Sequence, residues 1–591
     1  MCGFLGKFSN KKISSKIDFS VIKKLISHRG PDSFKYNFFE ENVFGAFARL
    51  SITDLSIRSD QPMSSSCGNY HLMFNGEIYN YLELKKLLVK NNWEFKSEGD
   101  TEVLLAGLIT FGTSFLNKLD GIFAFSFINN KDDSIILGRD RMGVKPLYYS
   151  IMEDQESVSL VFGSEIKFLT KYFLTKPVIN HDVLMQYFKY KYVIGEDTLV
   201  KNVKSLAPSS YIKFDKKNIK QPESKIFNDI CQIEPLISSK KDLQHNLYKT
   251  LKKSVFDQFQ SDANIGLQIS GGVDSTIISG MASKQAIMPH DSYFVSMKNS
   301  IHDEIDYADL VSKKFSFPLN IVNLTQKNYF DSVNKVATFH DTPINHPHSV
   351  AIYLLSQMAS SKVKVLVSGE GADELCFGYL RYSNNKILND NDILSNYSFL
   401  RTMPEIDKLN NLLNTSQFIS ADSARINLLS ELPDYDPLNK LRLYEIKTHL
   451  QDLLLRLDRM LMANGIEGRV PFLSNDFVNL CLSYDGKSFY KGNSGKYPLK
   501  QIADKFMGSG FSSRNKVGFM IPLNEWAGTK EYKNDLKRML EICDNSFINS
   551  DVVLSIYDEL LNEVNIDSNM KFYSLFTNLE RWMADQSISW S

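Results

Sequence analysis

Ser270-Gly271-Gly272-Val273-Asp274-Ser275 follows the apolar run Ile265 to Ile269 and precedes a helix-like segment, Thr276 to Lys284. That order predicts a strand, a tight loop and a helix. Two glycines let the backbone turn sharply and approach a ligand, while Ser270, Ser275 and the first free N–H groups of the helix aim donors at one point. The helix dipole and a nest of loop amides both favour an anion there, so the loop reads as a phosphate cradle. A structural reading competes with it, an ordinary strand-to-helix turn with Asp274 or Ser275 as N-cap. The loop has neither the lysine and spacing of GxxxxGK[ST] nor a GxGxxG, which removes a Walker A loop and a dinucleotide fold.

A second glycine and acid loop, Ser368-Gly369-Glu370-Gly371-Ala372-Asp373-Glu374, follows another apolar run, Val363 to Val367. In an open parallel sheet two such loops meet at the carboxyl edge, where ligands bind. The pair resembles the pyrophosphatase loop and acidic loop of the ATP-pyrophosphatases, which cleave ATP to AMP and pyrophosphate.

At 591 residues the chain needs at least two cores. Its 68 basic and 68 acidic residues balance, so nothing points to a nucleic-acid or membrane surface, and small-molecule chemistry is the default. No apolar run approaches the roughly 18 residues that span a bilayer, and the first ten residues do not read as a signal peptide. A cytoplasmic enzyme is expected, with a homodimer as a compatible assembly. The six cysteines (Cys2, Cys67, Cys231, Cys376, Cys481, Cys543) contain no CxxC and read as neither a zinc site nor a disulfide framework.

Cys2 differs from the other five. Removal of Met1 would give it a free α-amine of pKa about 7.7 to 8.0 beside a thiol of about 8.5, a nucleophile that carries its own base. The alternative is a core cysteine in a buried first strand. Four further motifs follow: His28-Arg29-Gly30-Pro31-Asp32, Arg49-Leu50-Ser51-Ile52, Asn75-Gly76-Glu77-Ile78-Tyr79-Asn80 and Gly99-Asp100-Thr101-Glu102. Singly, Asn-Gly is a common hairpin turn, Arg49 a surface ion pair and Asp100 a helix N-cap. Together they resemble class II glutamine amidotransferases. The resemblance implies that Cys2 attacks the glutamine amide and that Asn75 and Gly76 form the oxyanion hole. It also implies that Arg49 binds the glutamine carboxylate and Asp100 its ammonium, with Glu77 in the same pocket. A free amino acid needs one cation and one anion, and a developing oxyanion needs fixed donors.

Strand-like alternations at 122 to 128, 134 to 139 and 147 to 151 surround Gly-Arg-Asp-Arg-Met-Gly-Val-Lys-Pro-Leu-Tyr-Tyr (138 to 149), in which Asp140 and Lys145 read as loop-shaping ion-pair residues. The resemblance implies an α+β four-layer αββα sandwich, the N-terminal-nucleophile fold, over residues 1–215. Residues 216–241 lose periodicity and read as a linker. From Asp242 an amphipathic helix (Leu243, Leu247, Leu251, Val255) opens a synthetase half, 242–591, whose alternating strands and helices predict a right-handed parallel sheet.

His340-Asp341-Thr342-Pro343-Ile344-Asn345-His346-Pro347-His348 carries three of the ten histidines in a spacing that matches no zinc pattern. Leu443 to Met460 shows helical spacing and ends at Asn464-Gly465. Glu467-Gly468-Arg469-Val470-Pro471-Phe472, Gly495-Lys496-Tyr497-Pro498-Leu499-Lys500 and Arg514-x-Lys516-x-Gly518-Phe519-x-x-Pro522 extend a resemblance to glutamine-hydrolysing asparagine synthetases over nearly the whole chain. It implies Mg²⁺ on Asp274 and Asp373, and adenine against the backbones of Ile269 and Val295. Ser270, Gly271, Gly272, Asp274, Ser275, Ser368 and Gly369 would surround ATP, Glu370 would support adenylate formation, and Lys500, with Lys496 as competitor, would neutralise leaving pyrophosphate. Aspartate is the expected acceptor. The 340 to 348 segment departs from the well-studied members, so another carboxylate, such as a uronic acid of a surface polysaccharide, is the alternative. A non-catalytic nucleotide- or glutamine-binding homologue is the third reading, opposed by intact Cys2, Asn75, Asp274 and Asp373.

Overall fold

The computed structural model describes residues 2–13, 17–235, 241–298, 303–383, 411–413, 421–514 and 521–590. Part of the linker and the motif residues Lys516, Gly518 and Phe519 lie outside this set.

The N-terminal half builds two six-stranded antiparallel sheets. In the first, Cys2–Ser9 lies between Val158–Gly163 and Val43–Arg49, with Cys2 opposite Arg49. The second centres on Tyr70–Ile78 paired with Gly121–Asn129, and Glu223–Ile226 adds an edge strand beside Ser210–Asp215. Phe4, Phe47, Leu160 and Phe162 of the first sheet share a buried cluster with Met73, Ala124, Leu137 and Phe214 of the second, so alternate side chains of the two sheets face each other. Helices Tyr81–Lys90 and Asp100–Phe111 bury Leu84, Leu88 and Val103 to Leu108 against Phe74 and Phe125 on the second sheet's other face.

The C-terminal half is built on a five-stranded parallel sheet in the order Leu319–Asn323, Asp291–Ser296, Ile265–Gln268, Val365–Val367, Glu467–Arg469. The chain winds outward in one direction from the central strand and returns to pair Val365–Val367 on its other side. That reversal leaves a crevice outside the strands' carboxyl ends, and the two glycine loops stand there. Strand Glu467–Arg469 extends the sheet at a motif that carries no strand signal of its own.

The helix expected through Leu443 to Met460 is two helices, Pro437–Lys447 and His449–Met462. Thr448 breaks it at φ −123°, ψ −84°, and its hydroxyl donates back to Tyr444 O at 2.7 Å. Such back-bonding by a β-branched residue competes with helix continuation. Helical spacing on both sides hides the break.

Candidate active sites

At the first site, strand pairing sets the geometry. Cys2 N–H donates to Asn75 Oδ1 at 2.9 Å, which turns the amide so that its Nδ2 has no partner among the described residues, in a side chain fully buried. Gly76 runs against the next strand so closely that a Cβ would collide with Ile122 O. Arg49 Nη1 donates to Ser56 O at 2.8 Å and to Asp60 Oδ1 at 2.7 Å, and Nη2 donates to Asp54 O, so the guanidinium is locked beside Cys2. Asp100 opens its helix and accepts Ile78 N–H at 2.9 Å. Glu77 accepts Thr53 Oγ1 at 2.9 Å and lies 3.6 Å from Arg469 Nη2 of the other half.

Burial decides the charges here. It pushes the Cys2 thiol up, opposed by the amino terminus, a hydrogen bond from the Leu50 backbone and Arg49. Burial also lifts Asp100 to about 6 against the Ile78 hydrogen bond, and lifts Glu77 to about 8 with Asp100 and Glu467 adding to it. Burial therefore raises both neighbouring carboxyls, and the Asp100 charge adds to the rise at Glu77.

At the second site, Ser270 N–H and Oγ both approach Ser275 Oγ, at 3.2 and 3.1 Å, closing the loop on itself. Gly271 has φ +70°, and a Cβ there would lie 2.6 Å from Tyr307 Cβ. The N-cap of helix Val273–Lys284 is Gly272, with no side-chain cap, rather than Asp274 or Ser275. The first-turn N–H groups are thus not consumed by a side chain of the loop, which favours the anion reading over the turn reading. Gly369 packs against Asp274, where a Cβ would lie 2.8 Å from the aspartate Cβ, so the two loops touch.

Ile269, Ser270, Gly272, Asp274, Ser275, Val295, Ser368, Gly369, Glu370, Asp373 and Lys500 all line one cavity of about 1500 Å³. Gly271 does not line it, and its carbonyl accepts Arg514 Nη2. Lys496 Nζ stands 2.6 Å from Asp274 and 2.5 Å from Asp373, whereas Lys500 Nζ donates to Ser494 Oγ at 2.6 Å. Burial works against the Lys496 ammonium, but the two aspartates outweigh it and raise its pKa. Glu370 is held by Arg456 Nη2 at 3.0 Å.

A buried ionic network joins the sites. Arg29 donates to Cys2 O at 3.1 Å, to Glu165 at 2.9 Å and to Asp458 at 2.8 Å on helix His449–Met462, the helix that carries Arg456. Asp140 does shape its loop, accepting the N–H groups of Met142, Val144 and Lys145, but Lys145 Nζ lies 3.4 Å from Asp458 instead. Asp341 accepts Ile166 and Lys167 N–H groups at 2.6 and 2.8 Å, another tie between the halves. In sequence Arg29 and Asp458 stand 429 positions apart, and no local signal announces their pairing.

A family model described as a glutamine amidotransferase domain matches residues 1–225, and one described as asparagine synthase matches residues 246–584. An amidotransferase half followed by a synthase half is the make-up of a carbon–nitrogen ligase that takes its nitrogen from glutamine, and the chain is of that class. Asparagine synthetase [glutamine-hydrolyzing] 1 of Bacillus subtilis (strain 168) is 29% identical over 95% of this chain and 93% of its own. A putative asparagine synthetase of Mycobacterium tuberculosis (strain ATCC 25618 / H37Rv) is 26% identical over 85% and 83%. The chain belongs to the asparagine synthase family.

Proposed function

We propose that the chain makes asparagine from aspartate with glutamine as nitrogen donor and ATP as the activating substrate. The observation that carries the glutaminase half is the buried, unpartnered Nδ2 of Asn75 beside Cys2, because a donor left without a partner in the ground state costs free energy that a developing oxyanion can recover. With Met1 removed, Cys2 Sγ attacks the glutamine amide carbon, and ammonia leaves with a proton supplied through the α-amine. Water then hydrolyses the thioester to glutamate. Arg49 and Asp100 bind the two ends of the amino acid, with Glu77 beside them and Gly76 supplying the second oxyanion donor.

In the other half an acceptor carboxylate oxygen attacks the α-phosphorus of ATP and pyrophosphate leaves. Ammonia, carried unprotonated through an internal passage between the halves, attacks the acyl carbon and AMP leaves. Ile269, Ser270, Gly272, Asp274, Ser275, Val295, Ser368 and Gly369 hold the nucleotide, Gly271 turns the loop from outside the cavity, and Glu370 supports adenylation from its bond with Arg456. Asp274 and Asp373 converge on one cation position, occupied by the Lys496 ammonium, and their hard oxygens suit Mg²⁺. When bound, that ion neutralises pyrophosphate oxygens. Lys496 is the lysine that meets the two carboxylates, with Lys500 further along the same wall. We further read 1–215, with strand Glu223–Ile226 added at the edge of its second sheet, as the αββα sandwich, the rest of 216–241 as the connection and 242–591 as the synthetase unit, in a cytoplasmic protein. Among the described residues no helix is long and apolar enough to cross a membrane.

One observation favours a second acceptor. His346 and His348, from the segment that departs from well-studied members, line the nucleotide cavity. The test is to offer aspartate and a panel of uronates with ATP, Mg²⁺ and ammonium. Stoichiometric AMP and asparagine from aspartate is the expected result, and an amide from a uronate alone would transfer the assignment.

A pH effect follows from Asp100. Its carboxyl, raised to about 6, is an anion above that pH and neutral below it. Glutamine, whose ammonium it binds, is therefore expected to show a KM that rises as pH falls through about 6, while the KM for ATP does not follow. Asp100→Asn should raise KM and flatten this limb, and a limb unchanged in that variant would remove the assignment.

A further inference from the structure

Among the described residues one group of histidine, cysteine, aspartate or glutamate side chains brings three ligand atoms within 4.8 Å of one another: His346, His449 and Asp452. The Thr448 break creates it. It starts a new helix whose first residue is His449, and His449 and Asp452, three apart, share a face. His346 comes from the extended stretch before helix His348–Ala359, with Nε2 3.0 Å from Asp452 Oδ2. Asn345, itself buried, donates Nδ2 to Asp452 Oδ1 at 2.6 Å and to Lys191 O at 2.8 Å, so the carboxylate is oriented from behind as metal-ligating carboxylates are.

We propose that these three side chains bind one first-row transition dication, Zn²⁺ being the probe of choice, at a site separate from the Asp274 and Asp373 pair. Two imidazoles and one carboxylate form a borderline donor set that selects zinc and its neighbours over Mg²⁺. Three protein ligands leave at least one coordination position, and because His346 and His449 line the nucleotide cavity, that position opens into it. The sequence spacing hides the site, because His449 and Asp452 lie about a hundred residues from His346 and on a helix that periodicity merges with its neighbour.

The test uses the full chain, stripped by a chelator and then titrated with Zn²⁺ against a chromophoric competitor, without ATP, glutamine or acceptor. The expected result is one Zn²⁺ per chain that survives millimolar Mg²⁺, and Co²⁺ in its place should give visible bands of a four- or five-coordinate ion. His449→Ala and Asp452→Asn should each weaken binding by at least about a hundredfold, more than the loss of an outer hydrogen-bond partner. Thermal melting and glutaminase turnover at Cys2 confirm that each variant is folded. If Asp452→Asn fails to fold because Asn345 loses its partner, His449→Ala carries the test. Absence of stoichiometric binding, or equal binding by folded His449→Ala, would show a hydrogen-bonded histidine–aspartate pair only and overturn the proposal. Neither result bears on amide synthesis, since no substrate is present.

Discussion

Cys2→Ala is expected to abolish glutamine-dependent amide formation and leave ammonium-dependent formation intact. Sγ is the proposed nucleophile for glutamine, and the Cys2 backbone contacts that define its surroundings do not need the side chain: N–H to Asn75 Oδ1, and the carbonyl that accepts Arg29 Nε. The Arg29 link to Asp458 and the loops at Asp274 and Asp373 therefore persist in the variant. Asn75→Ala removes one oxyanion donor and should cost about 2.7 to 4 kcal/mol of barrier, roughly a hundred- to thousandfold in glutaminase rate. A protein that keeps Met1 lacks the free amine beside the thiol, whose proton burial makes harder to lose. It should resemble Cys2→Ala. Measuring glutamate release from processed and unprocessed protein checks this, and equal rates would rule out the N-terminal nucleophile.

The strand, tight loop and helix around Ser270–Ser275 were legible in the sequence because everything they need is local: Ile265–Gln268 makes the strand, Gly271 supplies the positive φ, and the helix begins immediately. The parallel sheet was legible for the same reason, from alternation of short elements. Lys496 against Lys500 was not. Both belong to one lysine-containing stretch, and the choice depends on Lys496 adopting φ +60° at its helix start and on Gly378, whose missing Cβ leaves room for the Asp373 carboxylate. The ties through Arg29, Asp341 and Asp458 are equally silent in sequence, since each partner reads alone as a surface charge. His28-Arg29-Gly30-Pro31-Asp32 announced the amidotransferase half without announcing that its arginine is fully buried between two carboxylates from different halves of the chain. Partner identity is a tertiary property, and neither periodicity nor local motif encodes it.

Asp373→Asn should stop AMP formation from every acceptor while glutamine hydrolysis continues, and Asp274→Asn should do the same. Each change keeps shape but removes one of the two charges facing Lys496, and with it a hard oxygen anion suited to Mg²⁺. Lys496→Met attacks the cluster from the other side. It removes the ammonium that bridges the two carboxylates, and breaking a buried pair by removing one partner typically costs about 3 to 5 kcal/mol. Part of that will appear as a lower melting temperature, since Asp274 and Asp373 are mostly shielded from water at 20% and 16% side-chain exposure. The rest falls on catalysis, because the lost ammonium no longer offsets the two carboxylates beside the phosphates that the loop is proposed to receive. Lys500→Met provides the comparison. Its Nζ meets Ser494 rather than the aspartate pair, so its loss should slow adenylation less than the loss of Lys496. Pyrophosphate release measured beside glutamate release in all four variants separates the possibilities. Full synthesis by Asp373→Asn would remove the metal role. A larger defect in Lys500→Met than in Lys496→Met would return the pyrophosphate role to Lys500.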